Sequence, residues 1–531
     1  METAKNFVGG SLVDARVREE IDVPDPATGE LLGRAPVSGP EDVDATASSS
    51  TPNARWSSSG GSESREPIGG ASRQREQWEE NISVIEKTQR WVEKDRRYVW
   101  HALSGYDPDA STMVVAEADG AWITDTDGNR YLDGMSGLWC VNVGYGREEL
   151  ARAAYEQLKE MPYYPLLKSH LPAIRLGEKL NEWLEDDYVF LFSNSGSEAN
   201  EVAFKVARQY HEQNGEPGRY KFISRYRAFH GQTMGALAAT GQAQRKYKYE
   251  PLVPGFLHVQ PPDRYRCHYC SDRESCTLEC AREIERAMAW ELPETVAGVI
   301  MEPIITGGGI IVAHDDYMRT VEDICERNGA LLIVDEVICG FGRTGRRFGY
   351  QHYGVKPDIV TMAKGLTSAY FPLAATAVRQ EVYETFAGNE EYGRLRHINT
   401  FGGHPGGCAV ALRNLKIMEE EDLPGRSEEM GRRLREDLTE LESHPNVGEI
   451  RSKGLLFGIE LVEDRECKQT ASKEMVEAAV SGCKERGLVI SKNADTVAGF
   501  NNVLTLAPPL SITEDDLEFI ARALKETLTN L

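Results

Sequence analysis

The stretch Leu331–Gly345 reads LLIVDEVICGFGRTG, and its interpretation decides the fold. Gly340, Gly342 and Gly345 match the G-x-G-x-x-G pattern of a dinucleotide loop, and Asp358 falls near the distance expected of a ribose-binding carboxylate. That fingerprint has to open an amphipathic helix. The residues that follow, RRFGYQHYGVKPDIVTM, are broken by glycines, aromatics and a proline. Asp335 and Glu336 also precede the glycines, so the functional point is the carboxyl end of an apolar strand, where open α/β sheets carry their ligands.

Two neighbouring segments supply the rest of a site. Tyr188–Phe192 (YVFLF) is strand-like and leads through SNSG into SEANEVAFKVARQY, where Ala199, Val202, Ala203, Val206, Ala207 and Tyr210 recur at helical spacing. A strand, a tight turn and a helix start thus meet at Gly196 and Ser197. The free N–H groups there suit a phosphate, although an ordinary capped helix has the same pattern. A further strand, Asp358–Met362 (DIVTM), delivers Lys364 to the same sheet edge. Taken alone Lys364 reads as a solvated turn lysine. An aspartate, a lysine and an anion cradle at three strand ends are together what pyridoxal 5'-phosphate requires: an amine for its aldehyde, a carboxylate for its pyridinium nitrogen and donors for its phosphate.

The motifs SGLWCVNVGYG (136–146), SNSGSEANE (193–201), FHG (229–231), MEPI (301–304), LLIVDEVICGFGRTG, MAKGLTSAYFPLAA (362–375) and TFGGHP (400–405) resemble the class III, pyridoxal-phosphate-dependent aminotransferases. Within that class the chain is most similar to the omega-amino acid or amine:pyruvate transaminases, including the taurine and β-alanine enzymes. The resemblance implies an α/β, fold type I architecture with a large domain carrying a mainly parallel sheet and a smaller α+β domain. It implies that Lys364 is the cofactor-linking lysine and proton shuttle, and that Asp335 is the pyridinium partner. Val337 and Phe229 would take the two ring faces, with His230 beside them, while Gly196 and Ser197 hold the phosphate. Thr400 would reach the phosphate of a neighbouring subunit, which implies a homodimer or a tetramer built from dimers. The reaction implied is ping-pong transfer from an amino donor to a keto acid acceptor such as pyruvate.

Departures from the family pattern bear on substrate. Phe229 stands where many members carry Tyr, so stacking area is kept and a hydroxyl is lost. Members that use glutamate often pair a Glu with an Arg; the matching positions here are Gly307 and Thr505, which favours pyruvate as acceptor. Where amine:pyruvate enzymes often carry a mobile Arg, this chain has Ser491 and Lys492. Lys492 is therefore a candidate for binding the substrate's acid group, against a solvated loop lysine. Trp139, Tyr163 and Tyr164 are candidates for the pocket wall, with core packing as the alternative. Two other activities share the cofactor residues: the 8-amino-7-oxononanoate aminotransferase of biotin synthesis and a semialdehyde aminomutase. A decayed, non-catalytic binding protein is the third possibility, opposed by intact Lys364 and Asp335.

Composition sets the outer bounds. The chain has 531 residues, 40% of them hydrophobic, more than one core usually supports. A net charge of −24 opposes nucleic acid and anionic membrane as partners. Without a signal-like start or a long apolar run, a cytoplasmic location is expected. Residues 5–45 resemble the first strands of aldehyde dehydrogenases, as a leader within 1–45 that stops before any nucleotide fold. Residues 46–88, rich in Ser and Gly, read as a linker, disordered in part. The expected division is then 89–150 and 411–531 for the small domain and 151–410 for the large one. Cys267, Cys270, Cys276 and Cys280 could bind zinc, form a local disulfide or pack as free thiols; their spacing fits no standard zinc ribbon or finger, and no metal is assigned.

Overall fold

The computed structural model describes residues 84–107, 112–270, 275–387 and 392–531, preceded by four short strands at 6–8, 11–13, 20–24 and 31–36. Met1–Asn81 form one compact unit and Ile82–Leu531 another. In the first unit the strands pair antiparallel as Asn6–Val8 with Ser11–Val13 and Glu20–Pro24 with Leu31–Pro36. Most of the expected linker, 46–83, lies outside the described residues. Its last five residues do not belong to a linker, because an α-helix runs from Val84 to Tyr98, five residues ahead of the expected start. The Ser/Gly-rich composition ends before Val84, and VIEKTQRWVEKDRR is made of residues a helix accepts.

The second unit is organised by a seven-stranded sheet. Its strands are β1 (Tyr188–Ser193), β2 (Lys221–Arg225), β3 (Phe256–Val259), β4 (Val296–Met301), β5 (Leu331–Asp335), β6 (Ile359–Met362) and β7 (Ala374–Arg379). They lie in the order β3-β2-β4-β5-β6-β7-β1. Pairing is parallel from β3 to β6, and β7 runs against both its neighbours, so six strands share one direction. β4 and β5 are buried along their whole length, as near-continuous apolar runs in a covered parallel sheet should be.

This topology puts the carboxyl ends of β1, β2, β4, β5 and β6 on one edge. Asp335 pairs in register with Thr361 of β6, and Ala374 at the start of the reversed β7 lies opposite Ser193. The helix α1 (Gly196–Gln213) buries Val202, Ala203, Phe204, Val206 and Ala207 against one sheet face, as the helical spacing predicts. After Asp335 the chain does not open an α-helix; it turns through the glycines into a 3₁₀ helix at Gly349–His352, which removes the dinucleotide reading.

Segments far apart in sequence close around this core. Residues 115–133 share a four-stranded sheet with Leu488–Val489, and 447–506 contribute a five-stranded sheet. The final helix, Glu514–Thr529, buries Leu517, Ile520, Ala521, Leu524 and Leu528. Arg343, fully buried in the GFGRTG turn, donates to the carbonyls of Leu455 and Pro508 and to Asn142 Oδ1, tying these parts together. Among the described residues no helix is long and apolar enough to cross a membrane.

His352, at the end of the 3₁₀ helix, fixes the same turn by donating from Nε2 to the Thr344 carbonyl at 2.9 Å. Burial, with Lys453 adding positive charge nearby, pushes its imidazole down to about 4. The fold therefore holds it neutral, whereas the unfolded chain takes up a proton below its ordinary value near 6.5. Its stabilisation is complete above that pH and is lost as pH falls toward 4, by at most about 1.4 kcal/mol per unit. Thermal unfolding at pH 7 and pH 5 should show a smaller acid loss in His352→Gln, by about 1–2 kcal/mol; equal losses in variant and parent would contradict the assignment.

Candidate active site

The strand ends enclose a cavity of about 410 Å³ whose wall includes Gly196, Ser197, Phe229, His230, Asp335, Val337 and Lys364. Seven of the residues selected from sequence thus meet around one space.

Asp335 lies on the cavity floor, 3% exposed. Its Oδ2 accepts from His230 Nδ1 at 2.8 Å and from Asn200 Nδ2 at 2.9 Å, and Oδ1 accepts from the Val337 N–H at 3.1 Å. Asn200 is itself fixed by donating to the His230 carbonyl and accepting from Thr361 Oγ1. A buried carboxylate held in one orientation, with Oδ1 able to accept further, is the partner a protonated ring nitrogen requires. The sequence places His230 beside the cofactor; the structure adds that its Nδ1 bears on Asp335.

The anion cradle is equally specific. Ser195 caps α1 by accepting from the Glu198 N–H, leaving the first N–H groups at Gly196 and Ser197 without intrahelical partners. Ser197 Oγ accepts from the Gln232 N–H at 3.0 Å, so its own proton is free to donate to an anion. A Cβ at Gly196 would stand 2.8 and 2.9 Å from the two methyls of Val337, and one at Gly231, whose φ is +136°, would meet Ser197 Oγ. Glycine at both positions is required by this close approach.

Lys364 opens a 3₁₀ turn with φ at +44°, and Ser368 and Ala369 share the left-handed region. Such backbone costs about 1 kcal/mol or more per non-glycine residue and clusters at functional sites. Asn414, in the helix Pro405–Glu420, holds the turn by donating to the carbonyls of Gly365 and Leu366.

Other selected residues lie elsewhere. Trp139 has φ at +63° and packs with Met135, Ile304, Ile310 and Cys339, while its neighbour Cys140 lines the cavity. Tyr163 and Tyr164 are partly exposed; the Tyr163 hydroxyl donates to the carbonyl of exposed Thr400 at 2.7 Å, and neither they nor Thr400 line this cavity. Lys492 pairs with Glu477 at 3.1 Å and likewise lies outside the cavity wall. Gly307 sits against Gln242 and Phe229, and Thr505 is buried in a strand with its hydroxyl 3.9 Å from Met135 sulfur.

Asn200 and Glu302 belong to the site but were not singled out from sequence. Glu302 lines the cavity and accepts from the Phe229 N–H, the Thr306 N–H and the Thr306 hydroxyl. Burial pushes its carboxyl up, against the charge of His230. A polar Asn200 on the buried face of α1, beside Ala199 and Val202, is the signal that could have marked it.

The class III aminotransferase family model matches residues 105–528. The chain belongs to the class III aminotransferases. It is 63% identical over 447 residues to the uncharacterized aminotransferase YhxA of Bacillus subtilis (strain 168), covering 84% of this chain and 98% of that one. It is 40% identical over 446 residues to the taurine–pyruvate aminotransferase of Bilophila wadsworthia (strain 3_1_6), covering 83% and 97%. An amine transaminase crystal structure from an uncultivated Pseudomonas species, with pyridoxal phosphate bound, superposes with a TM-score of 0.78 at 35% identity, over 82% of this chain and 98% of that one. The protein is thus a fold type I aminotransferase whose cofactor is pyridoxal phosphate. The glycine cradle, the buried carboxylate and Lys364 fit that group in charge and shape.

Placing a methyl at Gly196 forces Val337 toward the cofactor space. Overpacking of this kind costs about 1–3 kcal/mol. Titration of the apoenzyme with pyridoxal phosphate should give a Kd about 5- to 150-fold higher for Gly196→Ala, and adding Val337→Ala should recover part of the loss. Independent, additive effects of the two changes would refute the contact as the cause.

Proposed function

We propose that this aminotransferase moves the amino group of an omega-amino acid or amine, such as β-alanine or taurine, to pyruvate. The observation that carries this reading is the cavity wall: Lys364 is its only lysine or arginine among the described residues. An acid group next to the reacting carbon, as in an α-amino acid or in pyruvate, finds no second cation in this wall and has to be met by a guanidinium just outside it. A donor whose acid group is farther along the chain places that charge toward the rim. The taurine–pyruvate relative and the absence of a Glu–Arg pair at positions 307 and 505 support the same choice.

Bound pyridoxal phosphate supplies an aldehyde for the amino group and a ring that absorbs electrons when the donor carbon loses its proton. The chain's residues do the rest. Asp335 keeps a proton on the ring nitrogen, steadied by His230 and Asn200. Ser197 and the N–H groups of α1 hold the phosphate, and Val337 and Phe229 confine the ring. Lys364 Nζ would take the proton from the donor carbon and carry it to the aldehyde-derived carbon of the cofactor, on the far side of the nitrogen.

For the acid group of pyruvate or the donor the candidate is Arg245 rather than Lys492: neither lines the cavity wall, but the Arg245 guanidinium lies over Phe229, which does. The guanidinium stands 5.3 Å from the centre of the Phe229 ring, and Nε donates to Gln242 Oε1 at 2.7 Å. Lys492 is engaged by Glu477.

The proposed assembly is a homodimer in which Thr400 serves the neighbouring cavity. The exposed aromatics Tyr163, Tyr164 and Phe401 around it, with the rings of Tyr163 and Phe401 5.9 Å apart, make an apolar patch of the kind that protein interfaces cover.

Adding β-alanine or taurine without a keto acid should bleach the yellow absorption of the purified holoenzyme, and pyruvate should restore it. A band that stays with both would keep the cofactor and move the substrate to the biotin-pathway or aminomutase reading. In steady-state kinetics Arg245→Gln should raise KM for pyruvate and for acidic donors about 10-fold or more, the cost of one charged hydrogen bond, with KM for an uncharged amine unchanged. A uniform rise across all substrates would remove Arg245 from acid recognition.

A further inference from the structure

We propose that Cys267, Cys270, Cys276 and Cys280 form a four-thiolate structural zinc site. The four cysteines run from the segment after β3 into the first turn of the helix Glu279–Glu291, with spacing C-x₂-C-x₅-C-x₃-C. All four line one small cavity, together with Asp263, Arg264 and His314. Cys280, in the first turn of the helix, is buried, and the other three are half-buried.

The first pair has the geometry of a metal-binding knuckle. The N–H groups of Tyr269 and Cys270 both point at Cys267 Sγ, at 3.4 and 3.3 Å. Cys270 Sγ is itself 3.7 Å from Thr277 Oγ1. None of the ten cysteines is disulfide-bonded, so the thiols are available.

Other candidate ligands in the wall are committed elsewhere. Asp263 pairs with Arg227 at 2.6 Å, and His314 Nδ1 accepts from the Asp316 N–H at 3.2 Å. That leaves sulfur. Four soft thiolates select zinc over magnesium or calcium, and a closed set of four leaves no open position, which makes the site structural. No three such side chains among the described residues already stand at metal-ligand spacing, so the ion has to draw the sulfurs together. Each thiol that ligates releases its proton, and the cage carries two negative charges that Arg264 in the wall partly offsets.

The ion would stiffen the site from behind. Asp263 ties this segment to Arg227, two residues before Phe229, and Arg266 binds Glu460 while Lys468 Nζ donates to the Tyr265 carbonyl. Neither the cofactor residues nor the proposed reaction uses these thiols, so the inference stands apart from the substrate reading.

The test is metal analysis of the full-length holoenzyme prepared with zinc and a reductant. It should show about one zinc per chain, retained on dialysis and released by a mercurial thiol reagent. Cys276→Ser/Cys280→Ser should lose the metal and unfold at lower temperature while keeping bound pyridoxal phosphate at low temperature. If that variant does not fold, the parent decides: zinc should protect four thiols from a thiol reagent. Less than about a tenth of an equivalent of zinc, undiminished zinc in the double variant, unprotected thiols, or a Cys267–Cys270 disulfide in the native protein would each overturn the proposal.

Discussion

The carboxylate of Asp335 is the constraint on which the site depends. A strand end that buries a charge leaves it far from water, and an unpartnered buried charge costs several kcal/mol. The partners that meet it come from three places: His230 from the loop after β2, Asn200 from α1, and the Val337 N–H from the turn beyond β5. Meeting the hydrogen-bonding needs of one carboxylate therefore fixes three segments relative to each other. Those segments carry Phe229, the Gly196–Ser197 cradle and Val337. The geometry of the cofactor space is in this sense a consequence of keeping Asp335 buried and satisfied.

The lysine is positioned by a different means. Its turn holds three non-glycine residues in left-handed backbone, conformations that would relax if left alone. Asn414 supplies the compensation through two hydrogen bonds, and Thr367 adds one by donating to the Phe371 carbonyl at 2.5 Å. The helix bearing Asn414 comes from a part of the chain about fifty residues later and packs on the helices Glu148–Glu160 and Leu171–Leu184. Arg343 does comparable work one turn away, joining residues 142, 455 and 508. The strained turn that carries Lys364 is thus braced by side chains whose own sequence surroundings are ordinary in composition.

This explains what could be read from sequence and what could not. Apolar runs and helical spacing give strands and α1, and the rule that ligands sit at carboxyl ends of parallel strands then selects Asp335, Lys364, Gly196 and Ser197. Each is a one-dimensional signal. Trp139 reads from sequence as pocket wall or core, and a left-handed residue at that point turns the indole into the core and presents Cys140 instead, a local reversal that residue type does not reveal. Lys492 carries the right charge but has Glu477 across from it, fifteen residues away. Glu302 and Asn200 were passed over because their role is to satisfy other buried groups, which only three-dimensional proximity defines.

Charge balance in the cavity bears on what it can accept. The wall holds two carboxyls, Asp335 and Glu302, and one ammonium, Lys364, with His230 between the carboxyls. An amine without an acid group brings no negative charge into this wall. A carboxylate or sulfonate adds a negative charge that the floor cannot meet, so it must be answered from the rim. Burial lowers the proton affinity of Arg245 without discharging a guanidinium at neutral pH, and its contact with the face of Phe229 places a weakly hydrated cation beside the cofactor wall. Phe229 in place of a tyrosine fits this arrangement: an apolar ring offers the guanidinium a stacking face and adds no hydroxyl to the cavity wall.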